Sequence, residues 1–169
     1  DARARELPAE IERVKQAAQH NKAQVIVGAG GGKVLDTARA AAADLNLPVV
    51  SCPTVASSDA PCSALSVIYS EDGIVQGSRI YRKNPDLVLV DTQVIAHGPP
   101  RLLVAGMGDA LATWFEAKTC VEGHVKNMRG GASTRSALTL ARLCYETLLE
   151  DGAEALRAQL ARVEALHVR

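Results

Sequence analysis

The sequence predicts an α/β fold: a partial parallel sheet of nucleotide-binding type, followed by the start of an all-helical domain. Three observations carry this. Short aliphatic runs alternate with helical segments through the first half of the 169 residues, and glycines crowd the join between the first strand and its helix. Beyond about residue 100 every pattern is helical. The change divides the chain into residues 1–98 and residues 99–169.

Pro8 to His20 reads as an amphipathic helix, with Ile11, Val14, Ala17 and Ala18 on one side. Gln24 to Val27 is the first strand, Gly28 to Gly32 a turn too tight for side chains, and Lys33 to Asp44 a helix. Asn46-Leu47-Pro48 ends that helix, and Val49 to Cys52 gives a second buried strand. The unit is β-α-β, so its strands should run parallel with a right-handed crossover. Ala64 to Tyr69 and Gly77 to Tyr81 read as a hairpin around Glu71-Asp72-Gly73, and Asp86 to Val90 as a further strand. Helices follow over Arg101 to Cys120, Thr134 to Leu149 and Ala153 to Leu166. The pattern opens on a helix and offers only about three parallel strands, few for such a domain, so the chain is expected to be an internal piece of a larger protein.

At a helix start the unbonded N–H groups and the positive dipole end attract anions, and glycines let a phosphate come close. Lys33 adds a cation at the rim, so the turn reads as a pyrophosphate cradle. It follows neither common template. For G-x-G-x-x-G counted from Gly28 and Gly30, the third glycine falls on Lys33; for the Walker pattern, Val27 stands in place of the first glycine and Val34 follows the lysine. A ligand-free turn would use the same glycines. The loop Pro53 to Ser63 lies where open α/β sheets bind ligands. Thr54, Ser57 and Ser63 can donate to ribose or phosphate oxygens, and Asp59 can accept from a polyol hydroxyl; the same residues also shape ordinary turns.

In Gly106 to Ala117, Asp109 and Thr113 share a face of an otherwise apolar helix, with Glu116 a turn further. A carboxylate there is costly to bury unless a cation compensates it; the alternative is an exposed helix carboxylate. His20, His97, His124 and His167 lack metal-ligand spacing and read as surface or capping residues, so no complete metal site can be assembled from these residues. Cys52, Cys62, Cys120 and Cys144 contain no C-x-x-C pair and read mostly as buried thiols.

Nineteen basic and nineteen acidic residues cancel, and aromatics are 3% of the chain, so neither a nucleic-acid footprint nor stacking platforms are present. No apolar run is long enough to cross a bilayer, and the polar start from Asp1 to Glu6 is unlike a signal peptide. A soluble, cytoplasmic protein without nucleic-acid or membrane partners is expected.

Three blocks in order, Gly28 to Lys33, Ser58 to Tyr69 and Gly108 to Ala117, resemble the iron-containing/polyol alcohol dehydrogenase superfamily, specifically its glycerol dehydrogenase branch. The resemblance implies a dehydroquinate synthase-like architecture, with a nucleotide domain, a helical domain and the active site in the cleft between. It implies NAD and a divalent metal, usually Zn2+, as cofactors, glycerol and dihydroxyacetone as substrate and product, and a homo-oligomer at full length. By position, Gly32, Lys33, Asp36, Thr54, Ser57, Ser63, Leu65 and Tyr69 would line the cofactor. Asp59 would contact the polyol, and Asp109 would be the catalytic metal's carboxylate ligand, near the substrate. The family's two metal-binding histidines lie downstream of anything this sequence contains, so the chain alone is expected to turn over negligibly. A non-catalytic nucleotide-binding or oligomerising remnant is the alternative, as is a sugar-phosphate enzyme of the same superfamily. The absence of basic residues from 53 to 69 favours a neutral polyol over the latter.

Overall fold

The computed structural model describes residues 7–70, 74–128 and 130–167, with side chains inside the last helix described to Val163. The chain divides into two units, Asp1–Val55 with Asp59–Ile95, and Ala56–Ser58 with Ala96–Arg169.

In the first unit, helix α1 (Leu7–His20) precedes strand β1 (Ile26–Gly30), helix α2 (Gly32–Leu45) and strand β2 (Val49–Pro53). Strand β1 pairs parallel with β2, from Ile26 opposite Val49 to Gly30 opposite Pro53. The hairpin is antiparallel, formed by β3 (Leu65–Tyr69) and β4 (Val75–Ile80) with a bulge between Ile68 and Tyr69. Its expected turn at Glu71-Asp72-Gly73 lies outside the described residues. Strand β5 (Leu87–Val88) completes a parallel sheet of order β1-β2-β5.

Two differences from expectation concern the sheet. Strand β1 begins two residues after the expected Gln24 and runs on through Gly28 and Gly30. The glycines are thus strand residues, for a packing reason. A Cβ on Gly28 would stand 2.7 Å from the Ala38 Cβ, and one on Gly30 would stand 2.9 Å from Val34, so both let α2 close on the strand. Only Leu87 and Val88 of the run from Asp86 to Val90 pair as strand. Asp86 instead clasps Val49, whose N–H donates to Oδ2 at 2.9 Å while the Asp86 N–H donates to the Val49 carbonyl at 2.9 Å.

Helix α2 is buried continuously from Leu35 to Ala42, because its alanines admit α1, β1, β2 and β3 at close range. Its Ala38, Ala40, Ala41 and Ala42 join Ile11, Ile26 and Val49 in the core, with Val14, Leu45, Leu47, Ile68 and Tyr81 packed around them. The helix ends at Asn46, whose backbone is left-handed (φ 52°, ψ 40°), so that its N–H and that of Leu47 return to the Ala43 and Ala42 carbonyls.

The short helix α3 (Thr92–Ala96) closes the first unit, and the second unit holds α4 (Pro100–Glu122) and α5 (Arg135–His167). The last two run antiparallel: Met107 approaches Gly152, and Trp114 and Phe115 meet Tyr145 with ring centroids 6.1 and 5.9 Å away. Two separate helices were expected from Thr134 to Leu166, but α5 is unbroken. Gly152 is buried inside it, within ordinary packing distance of Leu148 and Met107. At its far end Gln159 donates to the Gly98 carbonyl at 2.9 Å.

Candidate functional site

Helix α2 starts at Gly32 with no side-chain cap. The Val34 and Leu35 N–H groups both fold back onto the Gly31 carbonyl, at 2.9 and 3.2 Å, so the amides of Gly32 and Lys33 head the helix. A Cβ on Gly32 would meet nothing within 4 Å, so the space above the turn is open. This arrangement suits an anion. Lys33 is exposed, and among the described residues it forms no ion pair. Its Nζ lies 5.5 Å from the Tyr69 ring centroid, which brings together two of the expected cofactor residues from different elements. Thr54 is brought to the same turn by its N–H, which donates to the Gly30 carbonyl at 3.1 Å. A separate cavity of about 240 Å³ lies between α1, β1 and α2, lined by Glu10, Arg13, Val14, Ile26, Val34 and Ala38 among others; Lys33 is the one expected cofactor residue that lines it. Diphosphate oxygens fit this set of uncapped amides, open glycine and unpaired ammonium.

Asp36 stands differently. It is 6% exposed, and its carboxylate accepts from the Arg39 guanidinium at 3.0 Å. Burial pushes its pKa up from the ordinary carboxylate range, against the opposing pull of Arg39 and of hydrogen bonds from Val67 and Ser66. Ser63 turns onto its own chain, its Oγ accepting from the Leu65 N–H and donating to the Leu65 carbonyl at 3.2 Å each. Ser57 belongs to the second unit.

Asp59 is exposed and precedes a single 3₁₀ turn, Ala60–Cys62, whose Cys62 N–H donates to the Asp59 carbonyl at 2.9 Å. Asp109, in the second unit, is likewise exposed, and no residue of α4 is fully buried. Of the two readings of this carboxylate, buried beside a cation or exposed on the helix, the structure has it exposed. Among the described residues no three His, Cys, Asp or Glu side chains gather where one metal ion could hold them. Asp109 alone does not make a metal site. The cysteines are also more open than expected: Cys52 and Cys120 are half-buried, while Cys62 and Cys144 are exposed.

Two residues that sequence reasoning passed over prove central. Arg39 is 2% exposed, and its signal was the Asp36-x-x-Arg39 spacing inside a run of alanines. Gly106, on α4, receives the backbone of the 56–58 segment so closely that a Cβ would fall 2.0 Å from the Ala56 carbonyl oxygen.

A parallel sheet entering an uncapped glycine helix start, with helices following, defines a Rossmann-like α/β class of fold. The chain belongs to the iron-containing alcohol dehydrogenase family, whose pattern matches residues 5–92. It is 55% identical over 154 residues to a glycerol dehydrogenase of Citrobacter freundii, covering 91% of this chain and 42% of that protein. It is 51% identical over 149 residues to a glycolaldehyde reductase of Halobacterium salinarum, covering 88% and 41% respectively. The structure of a probable glycerol dehydrogenase from Sinorhizobium meliloti 1021 matches with a TM-score of 0.86 at 42% identity, covering 91% of this chain and 43% of that one. The chain therefore spans less than half the length of the relatives it matches.

Proposed function

We propose that this chain serves NAD-dependent oxidation of glycerol to dihydroxyacetone, with residues 1–98 as the NAD-binding part and residues 99–169 as the beginning of the metal and substrate part. The observation that carries the reading is the unpaired Lys33 ammonium beside the uncapped start of α2, with the Tyr69 ring against it. The similarity to glycerol dehydrogenases supports the choice of substrate.

NAD, when bound, supplies a hydride acceptor. The chain's own groups bind and orient it. Gly32 and Lys33 amides and the Lys33 ammonium take the diphosphate; Thr54, Ser57, Ser63, Leu65 and Tyr69 border it, and Asp36 acts from beneath through its buried contacts. Asp59 accepts a hydrogen bond from a polyol hydroxyl, which an uncharged loop from 53 to 69 otherwise leaves to neutral substrates. Asp109 is proposed as one carboxylate ligand of a divalent metal, Zn2+ in the first instance. The side chains described do not complete that site.

No described helix is long and apolar enough to cross a membrane. A cytoplasmic setting, a homo-oligomeric assembly and freedom from nucleic-acid and membrane partners belong to the same proposal. The test is titration of the chain with NAD by calorimetry, then NADH formation from glycerol by the Zn2+-loaded holoenzyme that contains it. Saturable NAD binding that Lys33→Met weakens about tenfold supports the reading. Absence of NAD binding removes it. Faster reduction of glycolaldehyde than oxidation of glycerol would transfer the substrate assignment to the activity named for the Halobacterium salinarum relative.

A further inference from the structure

Arg39 is the largest fully buried side chain of the molecule's described part, and its guanidinium joins three separate pieces of the first unit. Nη1 donates to Asp36 Oδ1 at 3.0 Å and to the Leu65 carbonyl, while Nη2 donates to the Ala60 carbonyl at 2.6 Å. Nε is buried without a partner among the described residues. A buried ion pair of this kind is a poor source of folding energy, because desolvation offsets most of the attraction and an apolar side chain of similar volume often stabilises as well. What an apolar side chain cannot do is hold two carbonyls from two segments at a set distance. The planar fork of a guanidinium can.

Both carbonyls belong to the stretch that carries the ligand-facing residues. Ala60 follows Asp59, and its carbonyl also accepts from the Ser63 N–H at 3.3 Å, within the turn closed by the bond from Cys62 to Asp59. Leu65 opens β3, the strand that ends at Tyr69. Ser66, fully buried, adds a bond from its hydroxyl to the Asp36 carbonyl at 3.0 Å, so the same turn of α2 is tied to β3 twice. We propose that Arg39, braced by Asp36, is a positioning residue that sets the turn bearing Asp59 and the start of β3 for ligand binding. It touches no ligand itself; its effect passes through the Ala60 and Leu65 carbonyls. The proposal rests on the reading of this region as a dinucleotide and polyol site.

The test compares the wild-type chain with Arg39→Met, which keeps the volume, and Arg39→Lys, which keeps the charge but cannot reach all three acceptors. Two readouts are taken: residue-resolved amide exchange and NAD affinity by calorimetry. Local loosening should raise exchange at Cys62, Ser63 and Leu65 by about tenfold or more while α1 and β1 keep wild-type protection. NAD should bind about tenfold more weakly to Arg39→Met, the equivalent of about 1.4 kcal/mol, with Arg39→Lys between the two. A merely structural role would instead raise exchange across α1, α2 and the parallel sheet together, and that result overturns the proposal. Wild-type exchange and affinity in both variants also overturn it. If Arg39→Met does not fold, Arg39→Lys decides on the same readouts. A wild-type chain that binds no NAD overturns the functional reading instead, and exchange at 60–65 alone then decides whether Arg39 holds the turn.

Discussion

The Lys33 ammonium lies 5.5 Å from the centroid of the Tyr69 ring, although one opens helix α2 and the other closes strand β3. A lysine so placed is kept from ranging through solvent without being neutralised, since an aromatic face attracts a cation but leaves its charge available. No carboxylate competes for it among the described residues, which is the condition a phosphate-binding lysine needs. Lys33→Met should therefore weaken NAD binding about tenfold, the loss of one charge-assisted contact. Tyr69→Leu should weaken it only about two- to threefold, since an exposed cation–π contact is worth about 0.5–1 kcal/mol. Calorimetric titration of both variants checks the order.

Asp59→Asn separates substrate from cofactor. The side chain keeps its shape and loses its charge, so under the proposed function the glycerol KM of the holoenzyme should rise about tenfold, as for loss of a hydrogen bond to a charged group. NAD affinity should stay at its wild-type value. Unchanged kinetics with glycerol would take Asp59 out of the substrate role.

Gly28 and Gly106 test close packing in the two units. Ala at 28 brings a methyl within 2.7 Å of the Ala38 methyl, so α2 must back away from β1, at a cost of about 1–3 kcal/mol in urea unfolding. Ala at 106 meets a backbone oxygen at 2.0 Å, an obstacle that no rotamer change can relieve. The 56–58 segment should be displaced, seen as faster amide exchange there, while the first unit's β1 and α2 keep their protection.

Stability against pH should carry two opposite signatures. Asp36 has its pKa raised by burial, so its favourable contribution is complete below the unfolded carboxylate value of about 4 and is lost as pH climbs through the raised folded value. Asp44 is also pushed up by desolvation, but hydrogen bonds and charges from Arg79 and Lys15 outweigh that and leave its pKa lowered. Its contribution is present above about 4 and lost as pH falls through the folded value. Urea midpoints across mildly acidic pH should show Asp36→Asn flattening the upper part of the profile and Asp44→Asn the lower part.

Much of the fold was legible in local pattern. Helix α1, the β-α-β unit and the hairpin follow from apolar period and punctuation, since those signals reflect backbone geometry and burial over a few residues. Three misreadings share a feature. Strand β1 runs through its glycines, α5 runs through Gly152, and β5 is cut to two residues; at each, the contact made is with a residue outside the local pattern. At Gly28 that residue is Ala38, at Gly152 Met107, and at Asp86 Val49.

The candidate site divides along the same line. The residues from Gly28 to Lys33 determine by themselves an uncapped helix start able to take an anion, because glycine's missing side chain and the helix's unbonded amides are local properties. The order of the blocks around Asp59 and Asp109 was likewise readable from the chain alone. Tertiary structure alone decided that Lys33 faces Tyr69, that Asp36 turns inward to Arg39, and that Asp109 stands exposed on α4. Those outcomes depend on desolvation and on which backbone carbonyls come within reach of a buried guanidinium, and both exist only once α2, the 60–62 turn and β3 have packed together.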